Sequence, residues 1–279
     1  MSEIAIVAAL RTPFGKFGGK LQRYSAVELG SLVAKAALQR MGVKNKDVSE
    51  TIFGTAMLAA ATSVAARQIN FKIGLPVETP SLTLDRACCS SMTAIGLGAM
   101  KIRLGEASVV LAGGIESCSQ TPFLMKGVRW GKRLGDFTVE DPMKIRNPIN
   151  DRSVAKVAGE MALEYGVSRE EQDEWACASH ERYFKAHDAG LYADEILPVE
   201  AGAVTSGEML AIDESPRRNA SLEKLARLPT VYGSPTVIAG NAPGLNDGAS
   251  ATLLMAAAEA QKRRSGTSSR WAKSCPTCN

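Results

Sequence analysis

Leu84-Asp85-Arg86-Ala87-Cys88-Cys89-Ser90-Ser91-Met92-Thr93 is the stretch on which the reading of this chain turns. Just before its left end, Ser81 to Leu84 reads as a strand. Its right end opens a periodic apolar segment, Ser90 to Leu104, that Gly105 can stop and that reads as a helix. A strand therefore runs into a cysteine, and small residues then start a helix. The positive end of a helix dipole favours a thiolate over a thiol. Small residues after the cysteine let backbone amides approach a reacting carbonyl. Cys88 is thus a candidate nucleophile. The same pair, Cys88 and Cys89, also fits two small buried residues, a common fate of free cysteines, and spacing alone leaves both readings open.

Working outward, strands and helices alternate. Ile4 to Ala9 is an apolar strand, and a loop with Gly15, Gly18 and Gly19 follows. Ser25 and Glu28 have the spacing of a capping box, in which each side chain satisfies the other residue's free backbone N–H. Leu29, Leu32, Val33, Ala36, Ala37 and Arg40 then recur at helical spacing up to Gly42. Thr51 to Gly54 is a short strand, Ala65 to Ile73 a helix closed by Gly74, and Ser108 to Ala112 a buried strand. This alternation predicts a layered α/β domain. From about Gln120 the pattern is lost, and residues 120–150 are rich in Gly, Pro, Lys and Arg. A second capping box, Ser168 to Glu171, starts a helix with Gln172, Trp175, Ser179, Tyr183 and Ala186 on one face. Strand texture returns at Thr236 to Gly240 and at Leu253 to Met255. The expected organisation is a core of residues 1–119 and 236–264, an insertion over 120–235, and an unstructured tail over 265–279.

The 279 residues are 45% apolar, enough for a sizeable core, and the net charge of +4 is spread along the chain. That distribution does not point to nucleic acid, and no apolar run is long enough to span a bilayer. The N-terminal apolar run lacks a basic flank and reads as a strand, so a cytoplasmic protein is expected. Six cysteines without regular spacing suit free thiols in a reducing compartment. Cys275 and Cys278 form a lone Cys-x-x-Cys pair with no second pair to complete a zinc site. His180 and His187 are seven residues apart, about two helical turns or roughly 10 Å, too far to share a metal ion. Both read as surface or boundary residues, and no metal site is expected. Lys126, Arg129, Lys132 and Arg133 form a small basic cluster that fits a solvated face or a guide for phosphates.

The stretch around Cys88 resembles the nucleophile motif of thiolases. The resemblance extends to Ala9 to Gly15, to Ala66-Arg67-Gln68, to the Gly113-Gly114-Ile115-Glu116-Ser117 turn, to Ser168 to Asp173, and to Ala239 to Ala249. These matches lie in family order over residues 3 to about 264. The resemblance implies the N-terminal half of the thiolase-like layered α/β fold with an inserted, mostly helical loop domain.

It also implies an acyltransferase that moves an acyl group between acyl-CoA and CoA, or onto an acyl-CoA carbanion, through an acyl-cysteine at Cys88. Coenzyme A would be a cosubstrate, with no further cofactor, and the assembly a homo-oligomer, a dimer or tetramer. The residues that the resemblance sets against CoA are Arg217, near the adenine, Tyr232, near the pantetheine arm, and Pro243 and Leu245. Two positions depart from the family pattern: Ser153-Val154 stands where many thiolases have His-Met, and Pro243 where many have serine. Both point away from a short-chain acetoacetyl-CoA specificity. The histidine, second cysteine and Asn-Glu-Ala-Phe segment that the family carries in its C-terminal half have no counterpart among these residues. The family pattern stops after Arg264, so a truncated, poorly active form is expected. Asp85, Ala87, Cys88 and Ser90 also resemble the nucleophile motif of decarboxylating ketosynthases, and a non-catalytic CoA-binding or oligomerisation module is a third reading.

Overall fold

The computed structural model describes residues 3–61, 63–144, 149–201 and 207–265. The tail expected to be unstructured, with Cys275 and Cys278, lies outside the described residues beyond Ser265.

Along the chain, Ile4–Arg11 forms β1 and Gly15–Lys16 forms β2. The capping box at Ser25 is made: Glu28 N–H donates to Ser25 Oγ at 3.2 Å, and Ser25 N–H donates to Glu28 Oε2 at 2.9 Å. It starts α1, Ala26–Met41, which Gly42 ends in the left-handed conformation. Next come β3 (Glu50–Gly54), α2 (Leu58–Ala61), α3 (Ala65–Ile73), β4 (Ser81–Leu84), α4 (Ser90–Arg103) and β5 (Val109–Ser117). The short strands β6 (Leu124–Met125) and β7 (Val139–Glu140) pair with each other. Two helices follow, α5 (Val154–Glu164) and α6 (Arg169–Asp188). Then β8 (Val199–Glu200) pairs with β9 (Met209–Leu210). The chain continues through α7 (Leu222–Ala226), β10 (Asn246–Ala256) and α8 (Ala257–Ser265).

These elements form two compact units. The first holds residues up to 120, 193–214 and those from 246; the second holds 121–192 and 215–245. The sequence reading drew a single insertion over 120–235, whereas residues 193–214 cluster with the first unit and 236–245 with the second.

In the first unit one mixed sheet runs in the order β1-β10-β5-β3-β4, with β2 added on β10. β3 is parallel to β4 and to β5, and β10 is antiparallel to β1 and to β5. Side chains alternate across a sheet, so each strand feeds two cores. Val109, Leu111, Leu253 and Met255 pack on one face with Val33, Ala37 and Ile69 of α1 and α3. Ile52, Val110, Ala112 and Leu254 pack on the other with Ala94 and Ile102 of α4. Val109 to Leu111 and Leu253 to Met255 are at most 1% exposed, so helices of this chain cover both faces of the sheet. One exposed apolar layer is the outer side of α4, where Met92 is 70% exposed and Met100 53%.

Two local expectations are corrected. Gly113 to Ser117 is not a turn but the second half of β5, paired from Gly113↔Ala251 to Ser117↔Asp247. Its glycines admit close neighbours: a Cβ on Gly113 would strike the Ser250 carbonyl, and one on Gly114 would lie 2.6 Å from Ser91 Cβ. Thr236 to Gly240 is not a strand. Ser234 Oγ accepts from Val237 N–H at 3.0 Å, and Asn241 Oδ1 accepts from Ile238 N–H at 2.9 Å, so side chains take donors that a ladder would need. Trp175 is 70% exposed beneath the Arg182 guanidinium, and the buried residue of the helix is Asp173, held by Arg169 at 2.8 Å.

Candidate active site

The candidate nucleophile sits in a tight connection between β4 and α4. Ala87 has φ of 50°, a left-handed conformation that a residue with a Cβ rarely adopts. Four hydrogen bonds hold it there. Ala87 N–H donates to Asp85 Oδ1 at 2.8 Å, and Arg86 N–H donates to Ser90 Oγ at 2.7 Å. Ser90 Oγ–H in turn donates to the Ala87 carbonyl at 2.7 Å, and Cys89 N–H donates to the Arg86 carbonyl at 3.2 Å. Ser90 itself is buried, while Cys88 and Cys89 are exposed, with Cys89 at the N-cap of α4. The alternative that both cysteines are buried spacers is therefore excluded.

The floor of this turn is made of glycine. A Cβ on Gly54, at the end of β3, would lie 2.5 Å from Ser90 Cβ and 2.7 Å from Ser91 N. With Gly114 against Ser91, the first turn of α4 rests directly on the backbones of β3 and β5. The sequence reading saw the small residues of the helix but not the glycines that receive them.

Glu116 was quoted as part of a motif without a role. It sits among apolar residues of β5 and ties down the chain just after β3. Thr55 Oγ1, Ala56 N–H and Met57 N–H all donate to its carboxylate, at 3.2, 2.8 and 3.2 Å. Burial, with a smaller push from the charge of Asp85, holds the Glu116 carboxyl above the usual carboxylate range despite those bonds. A lone acid in an apolar strand was the available signal. Two other thiols are less exposed: Cys118 is buried, and burial pushes its thiol up to about 11, while Cys177 is half-buried and is also raised, chiefly by burial.

The four residues set against CoA lie in the second unit. Arg217 is exposed in the segment before α7, and its backbone N–H donates to His180 Nδ1 at 3.3 Å. Tyr232 is 75% exposed, with φ of 52°, next to Gly233 at 72°. Its carbonyl accepts from Ser153 Oγ at 2.8 Å, so Ser153, the N-cap of α5, fixes the backbone under Tyr232. Pro243 is exposed and Leu245 half-buried. In the basic cluster, Lys126 pairs with Glu140 at 2.6 Å and Lys132 lies over the Phe137 ring. Among the described residues no group of His, Cys, Asp or Glu is arranged to hold a metal ion, and no helix is long and apolar enough to cross a membrane.

With this geometry in hand, residues 4–258 match the family model for the thiolase N-terminal domain. An acetyl-CoA acetyltransferase of Chromobacterium violaceum is 42% identical over 93% of this chain and 68% of its own length. The human mitochondrial 3-ketoacyl-CoA thiolase is 38% identical over 95% of this chain and, again, 68% of its own length. Among solved structures, that human thiolase in complex with CoA superposes with a TM-score of 0.89 at 36% identity, over 94% of this chain and 67% of the other. The acetyl-CoA acetyltransferase of Bacillus anthracis does so with 0.90 at 36% identity, over 95% and 68%.

Proposed function

The chain belongs to the thiolase family, and from that premise we propose that it is an acyltransferase in which Cys88 takes an acyl group from an acyl-CoA thioester. The thiolate attacks the thioester carbonyl, the C–S bond to CoA breaks, and CoA leaves as a thiol after taking up a proton. The acyl group then passes from Cys88 to a second CoA thiol or to an acyl-CoA carbanion, which regenerates the thiolate. A covalent intermediate divides one difficult transfer into two easier ones. The observation that carries this reading is the exposed Cys88 at the mouth of α4, on a turn strained at Ala87 and braced by Ser90.

The backbone amide of Cys88 is the donor this chain offers to the developing oxyanion. Arg217, Tyr232, Pro243 and Leu245 are the residues we assign to the cosubstrate CoA. The structure of a relative bound to CoA supports that class of ligand. The two histidines of the chain, His180 and His187, both lie on α6, and no base has been assigned to Cys88. Exposed thiols at Cys88 and Cys89 suit a reducing compartment such as the cytoplasm. Self-association is part of the proposal, supported by the apolar outer side of α4 and by β4 standing at the edge of its sheet.

Protection from alkylation tests the assignment. Preincubation with acetyl-CoA should slow iodoacetamide labelling of Cys88 and leave Cys177 unchanged. Equal labelling of Cys88 with and without acetyl-CoA would count against it.

A further inference from the structure

Two side chains of α6 hold the segment that carries Arg217. His180 Nδ1 accepts from Arg217 N–H at 3.3 Å. Two turns further on, Asp188 takes both arms of the Arg218 guanidinium, at 2.9 and 2.6 Å, and that guanidinium also lies 4.1 Å from the centre of the Phe184 ring. The Asp188 pair is exposed on both sides, and a pair of that kind contributes little. The His180 contact is also exposed, although the His180 ring is half-buried, and it bonds the backbone of the very residue assigned to CoA.

Resting on that assignment, we propose that His180 is a positioning residue for CoA: its neutral imidazole, accepting at Nδ1, fixes the backbone of Arg217, and protonation of the ring releases it. A protonated imidazole has donors on both nitrogens and nothing with which to accept from an N–H. Its charge would also face the Arg217 guanidinium. The surroundings favour the neutral form, since burial first and Arg217 second hold His180 below the usual imidazole range. The contact is thus kept through the usual imidazole range and is lost only as pH falls below it.

Several of the other charged groups nearby are engaged. On α6, His187 bonds Asp188 at 3.1 Å, and Asp188 bonds Arg218; Glu181 is adjacent in sequence and exposed. On α7, which packs against α6, Glu223 pairs with Arg227, and the Lys224 ammonium donates to the Asn219 carbonyl at 2.8 Å.

The test is calorimetric titration of the full chain at pH 8 and pH 5.5. The probe is dephospho-CoA, which lacks the phosphate monoester that titrates in the same range. The unmodified chain should bind more weakly at pH 5.5, by up to about tenfold, the worth of one hydrogen bond. In His180→Asn, Asn Oδ1 can replace Nδ1 as an acceptor that does not titrate. That variant should match the unmodified chain at pH 8 and keep its affinity at pH 5.5. His180→Ala should bind weakly at both. Equal pH dependence in His180→Asn and the unmodified chain would overturn the proposal. Arg217→Ala separates the two layers. If it binds as well as the unmodified chain, or if the unmodified chain binds no probe, the CoA assignment fails and this inference fails with it. If Arg217→Ala weakens binding while the His180 variants do not, only the role of His180 fails.

Discussion

Gly54 and Ser90 meet so closely that a methyl group on Gly54 would run into the Ser90 carbonyl carbon and lie 2.5 Å from Ser90 Cβ. Gly54 ends a buried strand, and Ser90 begins the helix that presents Cys88. The fit of sheet to helix and the placing of the nucleophile are therefore one feature. Gly54→Ala has no flexible side-chain tip to displace and must move backbone. It should cost about 1–3 kcal/mol of stability, as overpacking does, and slow Cys88 alkylation under conditions where the variant is folded. Urea unfolding with parallel peptide mapping checks both. Unchanged stability and labelling in Gly54→Ala would mean that the turn gives way freely.

Thiol reactivity should follow exposure. Cys88 should react with iodoacetamide before Cys118 and Cys177 in a short, limiting exposure at pH 8. Burial keeps Cys118 protonated up to about pH 11, so raising the pH from 7 to 9 should leave it largely unlabelled in the folded chain. Alkylation of Cys118 at a rate matching Cys88 within that window would contradict the burial that the structure gives it.

Arg11 joins β1 to the segment that returns before β10. Its guanidinium donates to Asp213 at 2.7 and 3.0 Å and to Glu195 at 2.9 Å, and Asp213 also accepts from Phe14 N–H at 2.7 Å. Asp213 is buried. Removing one member of a buried pair strands the other. Arg11→Ala should lower stability by about 3 kcal/mol, at the lower end for a broken buried pair because Arg11 keeps some exposure. Thermal unfolding measures it, and a loss within about 0.5 kcal/mol, the usual range for surface substitutions, would show the pair to be unimportant.

Association should run through the exposed layer, not through the sheet faces. Met92→Lys with Met100→Lys, on the outer side of α4, should shift the chain towards monomer in light scattering coupled to size exclusion. Full retention of oligomers in the double variant would place the contact elsewhere, with the edge strand β4 the next surface to test.

Much of this was legible in the residues, for physical reasons. Capping boxes at Ser25 and Ser168 are local devices whose partners stand three residues apart, and both are made. The strand, cysteine and helix around Cys88 could also be read, since alternation and small residues are local signals. What sequence reading missed depends on contacts distant along the chain. Gly113 and Gly114 read as a turn, because glycine marks both turns and close approaches, and only the neighbours Ser250 and Ser91 decide between them. His180 read as a surface or boundary residue, which its partial burial fits, but nothing near it in sequence announces its contact with Arg217. Trp175 shares a face of α6 with Tyr183, yet a hydrophobic residue at helical spacing does not say which face the fold buries.

The central claim is that Cys88 accepts an acyl group from CoA. The most direct measurement is mass spectrometry of the intact chain after brief incubation with acetyl-CoA, followed by peptide mapping at mildly acidic pH, where thioesters survive. The account predicts a single added acetyl group on the peptide that contains Cys88, absent from Cys88→Ala and lost on addition of hydroxylamine. A chain that stays unmodified, or acetylation that persists in Cys88→Ala, would contradict it.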